Sequence, residues 1–322
     1  MPNEIAVSII NFRTAELTLQ CVRSVLADME GIDGHVVVVD NFSGDGSLEA
    51  IAAWIARQPQ GTPVSLVKSE TNSGFSGGHN QGIGAVEADF YLVLNSDAVL
   101  RPGFLRSILA AARADNSAGF FAPRIEYDDG GVQDSCFRFP GPLSELIRSA
   151  RTGAITRLFG THEVSLGPDP DPAQIEWASF ACILLRGEMV RQLGPMDEGY
   201  FLYYEDVEYC LRAHRAGWCV RYVPQAVAVH FRGGSGPVKK LTKERARLPR
   251  YFYSSRTRFF YQAHGRAGLI AANLLWYLGR GIKHLTRLFG KRVPPMAMAE
   301  GRDIWINVAN PLGPRYAPWE ME

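Results

Sequence analysis

Three groups of acids stand where a carboxylate can do chemistry: Asp40 in VVVVDNFSGDGS, Asp97 in YLVLNSDAVL, and Glu205-Asp206 in FLYYEDVEYC. The first two each close a run of β-branched or large apolar residues, and the third opens a helical pattern. Parallel strands present their carboxyl ends along one sheet edge, and ligands bind in the crevice there. At that edge Asp40 can accept both hydrogen bonds of a ribose diol. Asp97 can hold Mg²⁺ or Mn²⁺, which in turn grips a diphosphate. An acid of the third group can act as general base toward a substrate hydroxyl. Each position also has a plainer explanation. Asp40 suits a turn that bonds its own backbone, Asn95-Ser96-Asp97 suits a strand-to-loop turn, and the macrodipole stabilises acids at a helix start. Taken one at a time, the three sites leave both explanations open.

Two further segments carry polar groups of interest. Asn72-Ser73-Gly74-Phe75-Ser76-Gly77-Gly78-His79-Asn80-Gln81-Gly82 reads as a glycine-rich loop running into a helix. Such a loop lets the backbone approach a ligand, and a helix N-terminus favours anions. Flexible loops share this composition, and His79 and Asn80 suit helix capping equally well. His230 ends an apolar strand-like run before Phe231-Arg232-Gly233-Gly234-Ser235, where it fits either a metal ligand or a structural histidine. The turn after the first strand, NFRTAE, lacks the glycines of a dinucleotide site, which argues against nicotinamide or flavin binding.

The elements that must position these residues follow from periodicity. Over the first ~125 residues, apolar runs at Ala6-Ile10, Val36-Val39, Val64-Val67, Phe90-Leu94 and Gly119-Ala122 predict strands. Helical patterns separate them at Leu17-Leu26, from an N-cap at Ser47 to about Arg57, at Gly78-Val86, and after Pro102. This alternation predicts an α/β fold with a mostly parallel, doubly wound sheet. Regularity is lost from Asp128 to Pro172 except near Leu143-Ala150. It returns with an apolar segment at Ile175-Arg186, a short helix near Glu188-Leu193, a helix Glu205-Ala216 closed by Gly217, and strand pieces Cys219-Val223 and Ala226-His230.

At 322 residues the chain is long enough for one large or two smaller domains, and its net charge of +1 hides an uneven distribution. From Arg232 to Arg292 the lysines and arginines face one acid, Glu244. Phe252, Phe259, Phe260, Leu269, Ile270, Leu274, Trp276, Leu278, Leu285, Leu288 and Phe289 are interleaved with them. That pattern fits an amphipathic helix on an anionic membrane, and equally a helical pair packed on the catalytic domain or on a dimer partner. The spacing suits packing or lipid better than base stacking, so nucleic acid is not expected. Five scattered cysteines read as reduced thiols of a cytoplasmic protein, and the N-terminus carries no signal-peptide pattern. The apolar patch Ala267-Leu278 is too short to span a bilayer, which takes roughly 20 residues.

Taken in order, the segments resemble the family 2 glycosyltransferases of the GT-A fold, specifically their rhamnosyltransferase-like members, over roughly residues 5–235. VSIINFR resembles the opening strand, VVVVDNFSGDGS the nucleotide-binding acid segment, NSGFSGGHNQGI the asparagine- and glycine-rich loop, and LNSD the metal motif. WASFACILLRGEMVRQLGPMDEGYFLYYEDVEYCLRAHRAGW resembles the acceptor-side segment, and HFRGGS the histidine element. The resemblance implies a Rossmann-like nucleotide-binding half (1–125), an acceptor-side α+β half (126–235) and a basic helical C-terminal extension (236–322). It implies donor contacts at Ser8, Asn11, Asp40, Asn41, Asn72, Gly74, Gly77, Gly78, Asn80, Asn95 and Asp97. Metal ligation would fall to Asp97 and His230, acceptor contacts to Trp177 and Tyr204, and base catalysis to Asp206 with Glu205 orienting. Asn95 departs from the usual first acid of the metal motif, leaving Asp97 as its carboxylate. The implied reaction is inverting transfer from a dTDP- or UDP-sugar, with dTDP-rhamnose first, to a surface polysaccharide or polyprenyl-diphosphate-linked glycan at the inner face of the membrane. The competing expectations are another sugar (glucose, galactose, galactofuranose) and a catalytically silent nucleotide-sugar-binding scaffold.

Overall fold

Apolar runs with no polar face need cover on both sides, and the central strands receive it. The computed structural model describes residues 3–231, 238–289, 293 and 296–318. Its first half runs β1 (Asn3–Asn11), α1 (Ala15–Asp28), β2 (Gly34–Asp40), α2 (Ser47–Ala56), β3 (Val64–Lys68), α3 (Gly74–Gly84), β4 (Ala88–Asn95), β5 (Ala98–Leu100), α4 (Phe104–Ala114) and β6 (Ala118–Glu126). There follow β7 (Cys136–Phe137), α5 (Pro142–Ala150), α6 (Gly153–Phe159), β8 (Trp177–Ala178), β9 (Cys182–Arg186), α7 (Gly187–Leu193), α8 (Glu205–Arg215) and β10 (Cys219–His230). The C-terminal region adds α9 (Val238–Glu244), α10 (Arg250–Leu285) and α11 (Glu300–Asp303).

The expected mostly parallel sheet is present, in the order β3-β2-β1-β4-β9-β6-β10-β5. β3, β2, β1 and β4 are mutually parallel, as are β6 and β10. One feature departs from a simple doubly wound sheet: β9, from the 126–235 stretch, inserts antiparallel between β4 and β6. Its five residues are all buried, so it needs neighbours on both edges and both faces. β5, directly after Asp97, pairs antiparallel with β10 and sets His230 opposite Ala98.

Several boundaries differ from the sequence reading. α3 begins at Gly74 rather than Gly78 and so absorbs most of the supposed loop. Gly46, at φ 88°, takes the N-cap position of α2, and the Asp45 carboxylate accepts from the Ser47 amide; Ser47 lies inside the first turn. Pro102 precedes α4 by two residues because Gly103, at φ 84°, turns the chain first. The two strand pieces before His230 are one strand with an irregularity between Val223 and Val227.

The C-terminal basic region divides by face. Phe259, Phe260, Leu269 and Trp276 are buried, and Phe259 and Phe260 share a core with Tyr200 and Val207 of the acceptor-side half. Ile270, Leu274, Leu278, Leu285 and Leu288 are exposed. Arg232-Gly233-Gly234-Ser235 of the histidine element, and the side chains of Lys239, Arg287 and Phe289, lie outside the described residues. Among the described residues no helix is long and apolar enough to cross a membrane.

Candidate active site

On the donor side the ends of β1 and β2 lie in register, pairing Asn11 with Asp40. Asp40 is 2% exposed; its Oδ1 accepts from Asn11 Nδ2 at 2.7 Å and Ser43 Oγ at 2.6 Å, and its Oδ2 from the Ser43 amide at 3.2 Å. The turn-forming explanation of Asp40 is thus physically realised, and a ribose diol has to displace one of these bonds. Asn11 is fully buried, and its Oδ1 accepts from Thr18 Oγ1. Ser8 lies three residues inside the strand end, bonded through Oγ to His79 Nδ1 at 2.9 Å, with burial pushing the imidazole down to about 3. The edge itself is occupied by two aromatics to which the sequence reading gave no role. Phe12 is 38% and Phe42 57% exposed; Arg13 lies over the Phe12 ring, and Phe42 has φ 63°. A large apolar residue within two positions of a strand-ending Asn or Asp was the available signal.

The glycines of the 72–82 segment serve close packing. A Cβ on Gly74 (φ 73°) would lie 2.2 Å from the Phe201 carbonyl oxygen, one on Gly78 2.7 Å from Ile10, and one on Gly82 2.1 Å from Ser8 Oγ. Gly77 would meet Ser73 at 2.5 Å and Glu198 at 3.5 Å. Asn41 holds the segment's start, donating to Asn72 Oδ1 and the Gly74 carbonyl and accepting from Ser73. Asn80 brackets Met196, accepting from its amide at 2.9 Å and donating to its carbonyl at 3.0 Å, and also reaches Glu198. Arg315, 242 residues away in sequence, donates to the Ser73 carbonyl at 2.8 Å and the Glu198 carbonyl at 2.7 Å. This segment therefore ties α3 to residues 196–201, which lead directly into the acids of α8.

Asp97 and His230 come together across the β5–β10 pairing. Asp97 Oδ1 lies 3.2 Å from His230 Nε2, and Asn95 Nδ2 lies 3.4 Å from the same nitrogen. The Gln133 amide fixes the other face of the ring, with Oε1 at 3.3 Å from Nδ1 and Nε2 donating to the His230 carbonyl at 2.7 Å. Among the described residues no group of three or more His, Cys, Asp or Glu forms an all-protein metal cage. One carboxylate beside one imidazole does fit a divalent cation whose remaining ligands are substrate phosphates and water.

The third group lies at a cavity of about 420 Å³. Asp206 shares its lining with Trp177, Tyr203, Tyr204 and Phe252, and with Glu145 and Arg148 of α5. Trp177 stacks on Phe137 at 4.3 Å and donates Nε1–H to the Arg138 carbonyl. Burial pushes the Asp206 carboxyl up to about 6, against amide donors from Val207 and Phe180 that lower it. Burial, and then the Asp206 charge, raise Glu205 well above the ordinary carboxylate range, and its buried Oε2 has no hydrogen-bond partner among the described residues. Both carboxyls of the pair are thus raised, by burial first and, for Glu205, by its neighbour's charge, so the two titrate as one unit.

The acids are aimed by strained backbone. Tyr203 and Tyr204 both sit in the left-handed region, at φ 71° and 70°, a conformation costing roughly 1–3 kcal/mol per non-glycine residue. Contacts from α10 hold them there. Tyr203 packs edge-on to Phe252 and Tyr204 lies against Phe259, while Ser255 donates to the Leu202 carbonyl. Arg258 grips Asp197 with two hydrogen bonds of 2.9 and 3.1 Å. Beneath the cavity, Glu145 accepts from Arg148 at 2.7 Å and from Arg256 at 3.0 Å. Burial would raise the Glu145 carboxyl, but the two guanidiniums more than offset it and hold it at about 2. The sequence reading placed a helix near Leu143-Ala150 and allowed the C-terminal helices to pack on the rest of the chain, but the pairing of Glu145 with Arg256, 111 residues apart, was not legible in it.

Comparison with known proteins accords with this architecture. Residues 6–160 match Glycosyl transferase family 2. N-acetylglucosaminyl-diphospho-decaprenol L-rhamnosyltransferase of Mycobacterium tuberculosis is 30% identical over 227 residues, 62% of this chain and 67% of that protein. The low-salt glycan biosynthesis hexosyltransferase Agl10 of Haloferax volcanii is 26% identical over 235 residues, 71% of this chain and 68% of that protein. The solved structure of GalNAc-T7 with UDP, GalNAc and Mn²⁺ superposes with a TM-score of 0.59 at 12% identity, covering 96% of this chain and 55% of that one. The fold is that of the GT-A glycosyltransferases. This chain belongs to glycosyl transferase family 2.

Proposed function

We propose that the chain transfers a sugar from a nucleoside diphosphate donor to a glycan hydroxyl, inverting the anomeric carbon. The observation carrying this reading is the buried Asp206 carboxyl lining an aromatic cavity, raised to about 6 by burial, with the Glu205 carboxyl next to it in the chain. Asp206 accepts the acceptor hydroxyl's proton as that oxygen attacks the anomeric carbon. The new glycosidic bond forms on one face while the bond to the diphosphate oxygen breaks on the other. One base suffices, and no covalent sugar–enzyme intermediate is required. Trp177, Tyr204 and Phe252 offer flat apolar faces to a sugar ring, and Glu205 keeps the base oriented.

On the donor side, Phe12 and Phe42 offer ring faces for the base, and Asp40 reaches the ribose on exchanging a Ser43 bond. Asp97 and His230 would hold Mg²⁺ or Mn²⁺, which when bound neutralises charge on the departing diphosphate. The Mycobacterium tuberculosis relative, an L-rhamnosyltransferase acting on N-acetylglucosaminyl-diphospho-decaprenol, supports L-rhamnose as the sugar and a polyprenyl-diphosphate-linked glycan as acceptor, and dTDP-L-rhamnose is the donor we assign. The Haloferax volcanii hexosyltransferase favours a second reading, transfer of another hexose such as glucose, galactose or galactofuranose from a UDP-sugar.

The test is a melting-temperature screen of nucleotide sugars, followed by nucleoside diphosphate release with and without polyprenyl-diphosphate-linked N-acetylglucosamine. A shift with dTDP-rhamnose and acceptor-dependent release are expected. A shift with UDP-sugars alone overturns the rhamnose assignment. Donor binding with no transfer to any hydroxyl acceptor leaves a silent sugar-nucleotide-binding protein instead.

A further inference from the structure

Gly265, at φ 68° and ψ −175°, breaks α10 into two helices with different surroundings. The first half is buried among the aromatics that hold Tyr203 and Tyr204. The second turns Leu269, Ala272 and Trp276 inward, and Gly279 lets it close on α5, since a Cβ there would lie 2.1 Å from Ser149 Oγ. Its opposite face is apolar and exposed: Ile270 is 36%, Leu274 56%, Leu278 54% and Leu285 60% exposed. At about 100° per residue these four fall within an arc of roughly 80°. Exposed apolar residues scattered singly are ordinary on a protein surface; a continuous stripe marks an interaction site.

The charge pattern selects the occupant. From Arg245 to Ala299 the sequence holds eleven lysines and arginines and no acid. Of these, Arg247, Arg256 and Arg258 are committed to Asp303, Glu145 and Asp197, and Lys283 is buried against the Arg151 carbonyl. Arg266 and His284 lie exposed beside the stripe. The next acids, Glu300 and Asp303, are buried and paired with Arg148 and Arg247. A second copy laid on this face would bring Arg266 of both chains into one apolar interface with no carboxylate from this stretch to answer them. An anionic bilayer answers both features, taking the leucines below its headgroups and the cations among its phosphates. The helix is too short in apolar residues to span, so it lies in the plane of the interface.

We propose that the outward face of residues 266–288 is an interfacial docking surface for anionic lipid. The docking does not depend on the donor or acceptor assigned above. It would bring α5, which lines the acceptor cavity and packs on this helix, close to the membrane.

The experiment is flotation of the full chain with phosphatidylglycerol-containing vesicles and with pure phosphatidylcholine vesicles, at low and high salt. Binding to the anionic vesicles at low salt is expected, with release by high salt and little binding to the neutral ones. Leu274→Ser/Leu278→Ser, at exposed positions, should weaken binding about tenfold or more with an unchanged melting temperature. Arg266→Gln should weaken it less and flatten its salt dependence. Failure of the full chain to float, or equal flotation with neutral lipid, overturns the proposal. So does a dimer in sedimentation equilibrium that Leu274→Ser/Leu278→Ser splits, since the stripe would then belong to a second copy.

Discussion

The two sides of the site are built in opposite ways. On the donor side Asn11, Asp40, Asn41, Ser43 and Asn72 sit on the strand-end turns and bond mainly to one another. Their geometry follows from a regular sheet edge. On the base side, Asp206 is aimed by two left-handed tyrosines and enclosed by pieces of α5, β8 and α10, from parts of the chain over 100 residues apart. Donor-side polar groups start satisfied and must exchange partners for a ligand. Base-side groups are held unsatisfied or charge-shifted by burial. The contrast places the strained backbone beside the acids of α8 and the pre-formed hydrogen bonds at the ends of β1 and β2.

Removing the base tests this contrast most severely. Asp206→Asn should lower turnover by about 10²–10⁴-fold while donor binding, read by melting-temperature shift, persists. Turnover within a few-fold of the parent would move the chemistry elsewhere. The same variant carries a stability signature. The folded Asp206 carboxyl titrates near 6, above its ordinary 3.8, so the native state binds the extra proton. Its contribution to stability is therefore present below pH 3.8 and lost as pH rises through 6. Asp206→Asn should thus be more stable than the parent at pH 7, with that advantage shrinking toward pH 4 in urea titrations.

Next in size is the support beneath the cavity. Arg256→Met leaves Glu145 buried with one cation fewer and should cost about 3–5 kcal/mol in urea denaturation. A loss below about 1 kcal/mol would mean that Arg148 alone suffices to seat α10. A smaller, graded effect is expected from pH: kcat should fall about tenfold per unit below 6 and level off above it, because Asp206 must be ionised to accept a proton. An unchanged rate at pH 5 would assign the proton to another group.

The mildest test addresses the strut that joins the two sides. Arg315→Ala frees the carbonyls of Ser73 and Glu198, so the donor KM should rise by no more than about tenfold with kcat little changed. Arg315→Lys should recover part of it. Equal losses in kcat and melting temperature would reduce Arg315 to a fold-stabilising residue.

The fold's first half was legible because local pattern and tertiary role agree there. Apolar runs such as Val36–Val39 became central strands, and the acids closing them arrived at the sheet edge. Where reading failed, one cue had two physical uses. The glycines from Gly74 to Gly82 look the same whether backbone approaches a phosphate or a helix packs against a strand, and here they pack. The large apolar residues after Phe252 are alike on paper, yet Phe259 is buried and Leu274 exposed, because burial depends on where a helix lands.

By itself the sequence determined the strand-ending acids, the acids at the start of α8 and the family to which the chain belongs. Those features rest on local periodicity and on short motifs in order. Tertiary structure alone decided that β9 enters the middle of the sheet, that Asp97 meets His230, and that burial raises the carboxyls of Glu205 and Asp206 together. It also decided that one helix packs against Tyr203 and Tyr204 on its inner side and bears an exposed apolar stripe on its outer side. Each of these depends on distance, burial and charge between residues far apart in the chain, quantities that are set only when the chain is folded.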